Sequence, residues 1–219
     1  MFEPDSLLGV LLGVHVHLGL YGWFTVTKSV VKPPKPTTRL RIQNDECTSD
    51  LIAPTTCELL TEREIDNVIS RLGEDPLNPN ANLFEVFDKV CQSKKSIGSL
   101  LMNQSVIAGI GNVYRAEILF RCSVNPFERG KDLTPEDLQQ IWDDSVYLLN
   151  DGSRDGRIRT VAFEIISEEE KAAVGKYNGQ FSYVYKRTGQ KCRLCPSKIE
   201  EEKIDGRTVY WCPTCQPLK

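Results

Sequence analysis

Four cysteines near the end of the chain carry the sharpest chemical signal. They are Cys192-x2-Cys195 and Cys212-x2-Cys215, with sixteen residues between the pairs. Each Cys-x2-Cys folds as a knuckle that aims two sulfurs at one point, and two knuckles at the ends of a hairpin complete a tetrahedron. The pattern predicts one structural Zn2+ held by Cys192, Cys195, Cys212 and Cys215. A redox dithiol is the competing reading, and a second pair at ribbon spacing makes it a poor one. The other four cysteines, Cys47, Cys57, Cys91 and Cys122, show no ligand spacing and read as buried or surface thiols. A zinc ribbon serves DNA, RNA and protein contacts alike, so it assigns no function by itself.

The second signal runs from Ser99 to Phe120. One helix is expected to end near Gln104 and another to begin near Asn112. Between them Gly109 and Gly111 let the backbone turn sharply and approach another molecule closely. The amides at the new helix start carry the positive end of the helix dipole, a geometry that suits a phosphate, and Asn112 adds a side-chain donor. Val113, Ile118, Leu119 and Phe120 are the candidates for the core face. The alternative is a packed helical hairpin with two ordinary turn glycines.

The elements that must position these groups are legible in outline. Residues 1–53 look like strands, with Pro33, Pro34 and Pro36 in an exposed loop and Arg39-Leu40-Arg41-Ile42 alternating behind it. Asn44 to Asp50 reads as a hairpin turn. Thr61-Glu62-Arg63-Glu64 is a capping box, and Gly73 is expected to close the helix it opens. Phe84, Phe87, Val90 and Cys91 have the spacing of a buried helix face. Ser96 starts a short helix through Gln104. Thr134-Pro135-Glu136-Asp137 starts another that runs to about Leu149, with Asp143 and Asp144 on its solvent face. Residues 164–180 read as a mobile loop, and 181–219 as short strands around the cysteines.

Net charge is −3 over 219 residues, which argues against a nucleic-acid binder if taken alone. The charge is unevenly placed. Lys171 to Lys219 holds ten Lys/Arg and four Asp/Glu, an excess of +6, and the rest of the chain carries −9. A solvated surface is the plain alternative for that basic end. Leu7 to Phe24 lacks Lys, Arg, Asp and Glu, but no basic region precedes it, and Val14 to Leu20 includes a β-type alternation. It reads as a strand feeding a turn. No membrane partner and a cytoplasmic location, with the bacterial nucleoid DNA, are therefore expected.

Leu101 to Phe120 resembles the helix–two-turn–helix of the Fpg/Nei DNA glycosylases, as does the ribbon with its closing Cys212-Pro213-Thr214-Cys215-Gln216. His17 to Gly22, Gly73 to Leu77 and Tyr183 to Arg187 look like the actinobacterial Nei-type branch. The resemblance implies a base-excision-repair protein that binds damaged duplex DNA between a β-sandwich and a helical domain. It implies flipping of the damaged nucleotide out of the stack, base excision and cleavage of the abasic strand. By the same resemblance Asn112 holds a phosphate beside the abasic site. Arg207 is the hairpin-tip arginine that contacts phosphates and assists elimination, for which a bidentate, always-charged guanidinium is suited. Leu20 and Tyr21 match the side chains inserted into the gap left by the flipped base. A plain core role is the alternative for Leu20. His17 is a candidate phosphate contact.

The resemblance also implies an N-terminal proline nucleophile, a glutamate after it and a lysine on an early β-hairpin. The chain instead reads Met1-Phe2-Glu3-Pro4, and it joins the family pattern at a strand inside the sandwich. The expectation is an α+β protein: a truncated β-sandwich remnant over 1–60, a helical helix–two-turn–helix domain over 61–165, and a loop and zinc hairpin over 166–219. It is expected to be a monomer with doubtful catalysis. A gene fragment, a misplaced start and an inactive remnant all fit that departure. A non-catalytic damaged-DNA-binding module and a zinc-ribbon module for protein or RNA are the alternative functions. The glycine turn with Asn112 and Arg207 favours DNA over the last of these.

Overall fold

The computed structural model describes residues 12–19, 21–28, 33–166 and 181–219. The fold is α+β, and it divides into two compact units, residues 1–71 and 72–219. In the first unit β1 (Leu12–His17) pairs antiparallel with β5 (Thr56–Thr61). A second, three-stranded antiparallel sheet has the order β2 (Trp23–Thr27), β4 (Thr48–Ile52), β3 (Thr38–Gln43). Its central strand buries Leu51 and Ile52, whereas Val14, Trp23, Phe24, Val26, Ile42 and Leu59 stand exposed. The Asn44 side chain accepts from the N–H groups of Glu46 and Cys47 and closes the β3–β4 turn. Asp50, expected in that turn, instead lies on β4 opposite Arg41, whose guanidinium donates to both carboxyl oxygens at 2.6 and 2.7 Å.

Helix α1 (Glu62–Ile69) starts at the expected box: Glu64 accepts from both the N–H and the hydroxyl of Thr61. It was expected to open the helical domain, but it packs on β1 and β5 and belongs to the first unit. Its strongly one-sided apolar pattern is satisfied by a sheet surface as well as by helices. Gly73 does not close it; Ser70 caps the helix. A Cβ on Gly73 would lie 2.3 Å from the Val106 carbonyl oxygen, so this glycine is there for close backbone packing inside the second unit.

The second unit holds α2 (Leu83–Cys91), α3 (Ile97–Leu100), α4 (Asn112–Arg121) and α5 (Pro135–Asp155), followed by β6 (Glu200–Ile204) and β7 (Arg207–Trp211). On α2 Val86 and Val90 are buried and Phe87 packs partly buried against the same core, so the expected face holds at Phe87 and Val90, while Phe84 and Cys91 are exposed. Ser96 caps α3 by accepting from the Ser99 N–H, but the helix stops at Leu100 and continues as turns. Thr134 caps α5, which runs past Leu149 to Asp155 and ends at left-handed Gly156. Asp144 is not simply solvated; Arg121 donates to it. Phe163–Ile165 forms a 3-10 turn, and the rest of the expected loop, 167–180, lies outside the described residues.

Helix α4 is buried on two sides. Tyr114, Ile118 and Leu119 join the helical core with Leu100, Leu138, Ile141 and Leu148. Ala116 and Phe120 face a second core with Tyr183, Val184, Ile199 and Cys212. Each fully buried Leu, Ile or Phe contributes roughly 1.5–3 kcal/mol relative to exposure. The helix is thus the shared wall between the helices and the ribbon, which fixes where its N-terminus points.

Candidate nucleic-acid interface and zinc ribbon

The sulfurs of Cys192, Cys195, Cys212 and Cys215 lie within 4.8 Å of one another. Two of the pairs, Cys192–Cys215 and Cys195–Cys212, are 3.9 and 3.4 Å apart. A tetrahedral zinc tetrathiolate, with Zn–S near 2.3 Å, places its sulfurs about 3.8 Å apart, so the donor set fits one zinc ion. The knuckles supply backbone donors as well: the Leu194 N–H points at the Cys192 sulfur at 3.4 Å. Donation from the Ser197 backbone holds the Cys195 thiol down at about 7, while burial pushes the Cys212 and Cys215 thiols up. A divalent cation supplies the charge that buried thiolates require. Gln216, fully buried, explains the residue after the last cysteine. It accepts from the Cys212 N–H at 3.0 Å and donates to the Val124 carbonyl at 2.8 Å.

Strands β6 and β7 are joined by Asp205-Gly206, both left-handed at φ 50° and 75°. That is the two-residue turn whose twist matches a hairpin, and Asp-Gly is among its favoured sequences. Arg207 follows immediately and is exposed at the tip. The Ser99 hydroxyl donates to the Asp205 carboxyl and ties the tip to α3.

The tip meets the glycine turn. Gly109 is left-handed at φ 83°, as only glycine readily is. The Gln104 side chain spans the turn, accepting from the Gly109 N–H at 2.9 Å and donating to the Ile110 carbonyl at 3.0 Å. Gly111 caps α4 with an ordinary φ of −107°, and a Cβ there would meet nothing within 4 Å among the described residues. Neither backbone strain nor internal packing requires glycine at 111. Asn112 begins α4, and its amide donates to the Thr208 carbonyl at 3.1 Å, 96 residues away in the chain and beside Arg207.

Two buried charged residues organise this junction, and sequence reading missed both. Arg115 donates to the Gly98 carbonyl at 3.2 Å, to the Thr208 carbonyl at 3.0 Å, and to the Asn112 side-chain oxygen. Burial, and then the neighbouring Arg207, lower its guanidinium to about 10. Glu117 accepts from the N–H groups of Tyr183, Val184 and Tyr185 at 2.7, 2.9 and 2.8 Å, and from the Thr160 hydroxyl. The one usable sequence signal is that α4 has no polar face for these charges to occupy.

Of the other expected residues, Tyr21 lies in the first unit with 79% of its surface exposed. Leu20 lies outside the described residues. His17 is exposed on β1, and its neighbour His15 hydrogen-bonds Glu58 at 3.0 Å. Met1, Phe2, Glu3 and Pro4 lie outside the described residues.

Fold and site together define a helix–two-turn–helix unit fused to a four-cysteine zinc ribbon. Residues 72–162 match the model of the formamidopyrimidine-DNA glycosylase H2TH domain, and residues 189–218 that of the zinc finger found in FPG and IleRS. Endonuclease 8 1 of Mycobacterium tuberculosis (strain H37Rv) is 39% identical over 209 residues, covering 93% of this chain and 76% of that protein. Formamidopyrimidine-DNA glycosylase of Prochlorococcus marinus (strain NATL2A) is 34% identical over 153 residues, covering 70% and 52%. The chain belongs to the formamidopyrimidine-DNA glycosylase/endonuclease 8 (Fpg/Nei) family, with one structural zinc ion. Lactococcus lactis Fpg, solved in complex with abasic-site DNA, shares the fold at TM-score 0.76 and 21% identity, over 94% of this chain and 75% of that one. Among the described residues no helix is long and apolar enough to cross a membrane.

Proposed function

We propose that this chain is a base-excision-repair protein that binds damaged duplex DNA, and that the junction of α4 with the ribbon tip grips the phosphate backbone. One observation carries the reading: Asn112, at the positive end of α4, is hydrogen-bonded to the residue beside exposed Arg207. Two groups suited to phosphate thus belong to one surface. Gly109 and Gly111 leave that surface without side chains, and the unexplained glycine at 111 fits close approach by a DNA strand. Leu20 and Tyr21 are the candidates to fill the gap beside a displaced base, an apolar and aromatic pair of the kind that wedges between bases. The protein would act as a monomer in the bacterial cytoplasm, on nucleoid DNA.

The test is a titration of duplex DNA with and without a stable abasic-site analogue, across a range of salt. Affinity should favour the abasic duplex and fall as salt rises. Asn112→Ala and Arg207→Ala should each cost roughly 1–3 kcal/mol. Two variants that bind like the parent would remove the reading. Family membership favours a second, catalytic reading, in which Arg207 also assists strand elimination. Borohydride reduction of the chain with a duplex carrying an oxidised pyrimidine decides it: a trapped covalent complex supports a glycosylase/lyase, and its absence supports a binding module.

A further inference from the structure

Among the described residues Arg115 is the largest side chain that is fully buried, at 1% exposure. It would be expected to sit against a carboxylate, because an isolated buried charge is costly. Among the described residues no ion pair with Arg115 is formed. Its Nη1 and Nη2 instead donate to three oxygens: those of Gly98 at the start of α3, of Asn112 at the start of α4, and of Thr208 on β7. Its Nε is buried without a partner among the described residues. The charged groups that face it are Arg207, which repels it, and Asp205, which favours its charge. The Asp205 carboxyl is also engaged by Ser99.

This pattern is wasteful for stability and useful for positioning. A fork-shaped cation joins two helix starts and the strand that follows the ribbon tip. It fixes the Asn112 amide by its oxygen, so the amide nitrogen donates to Thr208 with one hydrogen and keeps the second for a ligand. We propose that Arg115 is a positioning residue for phosphate binding: it locks Asn112 and the Arg207 hairpin into one pre-formed seat for a DNA backbone phosphate. The inference rests on the binding function above. It adds that the seat is built before DNA arrives, and that a buried arginine with no predicted contact to DNA sets its affinity.

Arg115→Met removes the fork and the charge while keeping much of the volume. Exchange of a buried charge for an apolar side chain of similar size is often neutral for folding. Arg115→Lys keeps the charge but cannot reach three oxygens in one plane. Both full-length variants should retain zinc and a cooperative melt, yet bind the abasic-analogue duplex at least about tenfold more weakly than the parent. The double variant Asn112→Ala/Arg115→Met should lose less affinity than the product of the two single losses, because Arg115 acts partly through Asn112. Should Arg115→Met fail to fold, Arg115→Lys carries the same comparison. Parent-like binding by the folded variants, or fully multiplicative losses, would overturn the proposal. A readout without DNA separates its failure from that of the function: the Asn112 side-chain amide resonances, assigned against Asn112→Ala, should be dispersed and slow to exchange in the parent and averaged in Arg115→Met. Parent protein that binds no DNA removes the function. Amide signals indifferent to Arg115 remove the lock.

Discussion

Replacing Glu117 by Gln should lower the melting temperature of the second unit by roughly 5–15 °C, and by more for Ala. The figure follows from the bonding. One carboxyl oxygen accepts from Val184 and Tyr185; the other accepts from Tyr183 and Thr160. Gln keeps one acceptor oxygen and turns the other position into a donor. The Thr160 hydroxyl can donate to the Phe181 carbonyl and accept from the new amide, but the bond from Tyr183 is lost and its N–H is left buried against another N–H. Each net bond is worth about 1 kcal/mol and an unsatisfied buried donor costs about 1–3, which gives roughly 2–4 kcal/mol. At about 2–4 °C per kcal/mol for a unit of this size, the stated range results. Ala strands all three amides and should cost about 3–5 kcal/mol, near the upper end for a single substitution. Calorimetry of the zinc-loaded protein measures the loss, and hydrogen exchange at residues 183–185 locates it. If Glu117→Ala melts within roughly 2 °C of the parent with those amides still protected, the ribbon is not anchored through this carboxyl group and the reasoning fails.

Four further outcomes follow. Gly111→Ala should change stability by no more than about 1 kcal/mol, since its Cβ meets open space, yet should weaken DNA binding; equal effects on both would remove the close-approach argument. Chelation of zinc, or Cys195→Ser, should expose Trp211, buried edge-on against Phe127, and red-shift tryptophan emission; an unchanged spectrum after confirmed metal loss would contradict a structural role. The hydrogen bond from Arg41 holds the Asp50 carboxyl below the usual carboxylate range. Its contribution to the first unit is therefore complete above about pH 4 and lost as pH falls through the depressed value, so Arg41→Met should flatten the acid limb of the melting profile. Tyr21→Ala should weaken binding to the abasic-analogue duplex more than to intact duplex, as a competition titration would show.

What the sequence disclosed and what it withheld have a common physical cause. Periodic spacing and local hydrogen-bond chemistry are written in neighbouring residues. The four-cysteine cluster, the Thr61 and Thr134 helix starts and the left-handed Gly109 could therefore be read directly. On α2 the expected face holds at Phe87 and Val90 and fails at Phe84, which is apolar by type but stands exposed, because hydrophobicity alone does not say which neighbour arrives to cover it. Gly73 looked like a helix stop because its real reason, the Val106 backbone, is remote in sequence. Asp144 looked solvated because its partner, Arg121, sits on another helix. Each error concerns a contact between elements.

Helix α4 is the extreme case. A helix packed on one side shows its buried face by period, and its charged residues fall on the other side. Packed on both sides, α4 has no such contrast, and Arg115 and Glu117 look in sequence like ordinary surface charges. In the structure they divide the work of the junction. Glu117 accepts from the chain that leads into the ribbon and so sets where the ribbon begins. Arg115, two residues earlier, donates to the strand at the ribbon's far end, beside its tip. Opposite hydrogen-bonding characters fit them for opposite tasks, since a carboxyl can gather N–H groups and a guanidinium can gather carbonyls. Exchange of the two residues would therefore strand donors against donors and carbonyls against carboxyl oxygens. Both residues tie the ribbon to α4, so a metal-loaded ribbon lacking either residue should remain folded locally and yet present a misplaced tip.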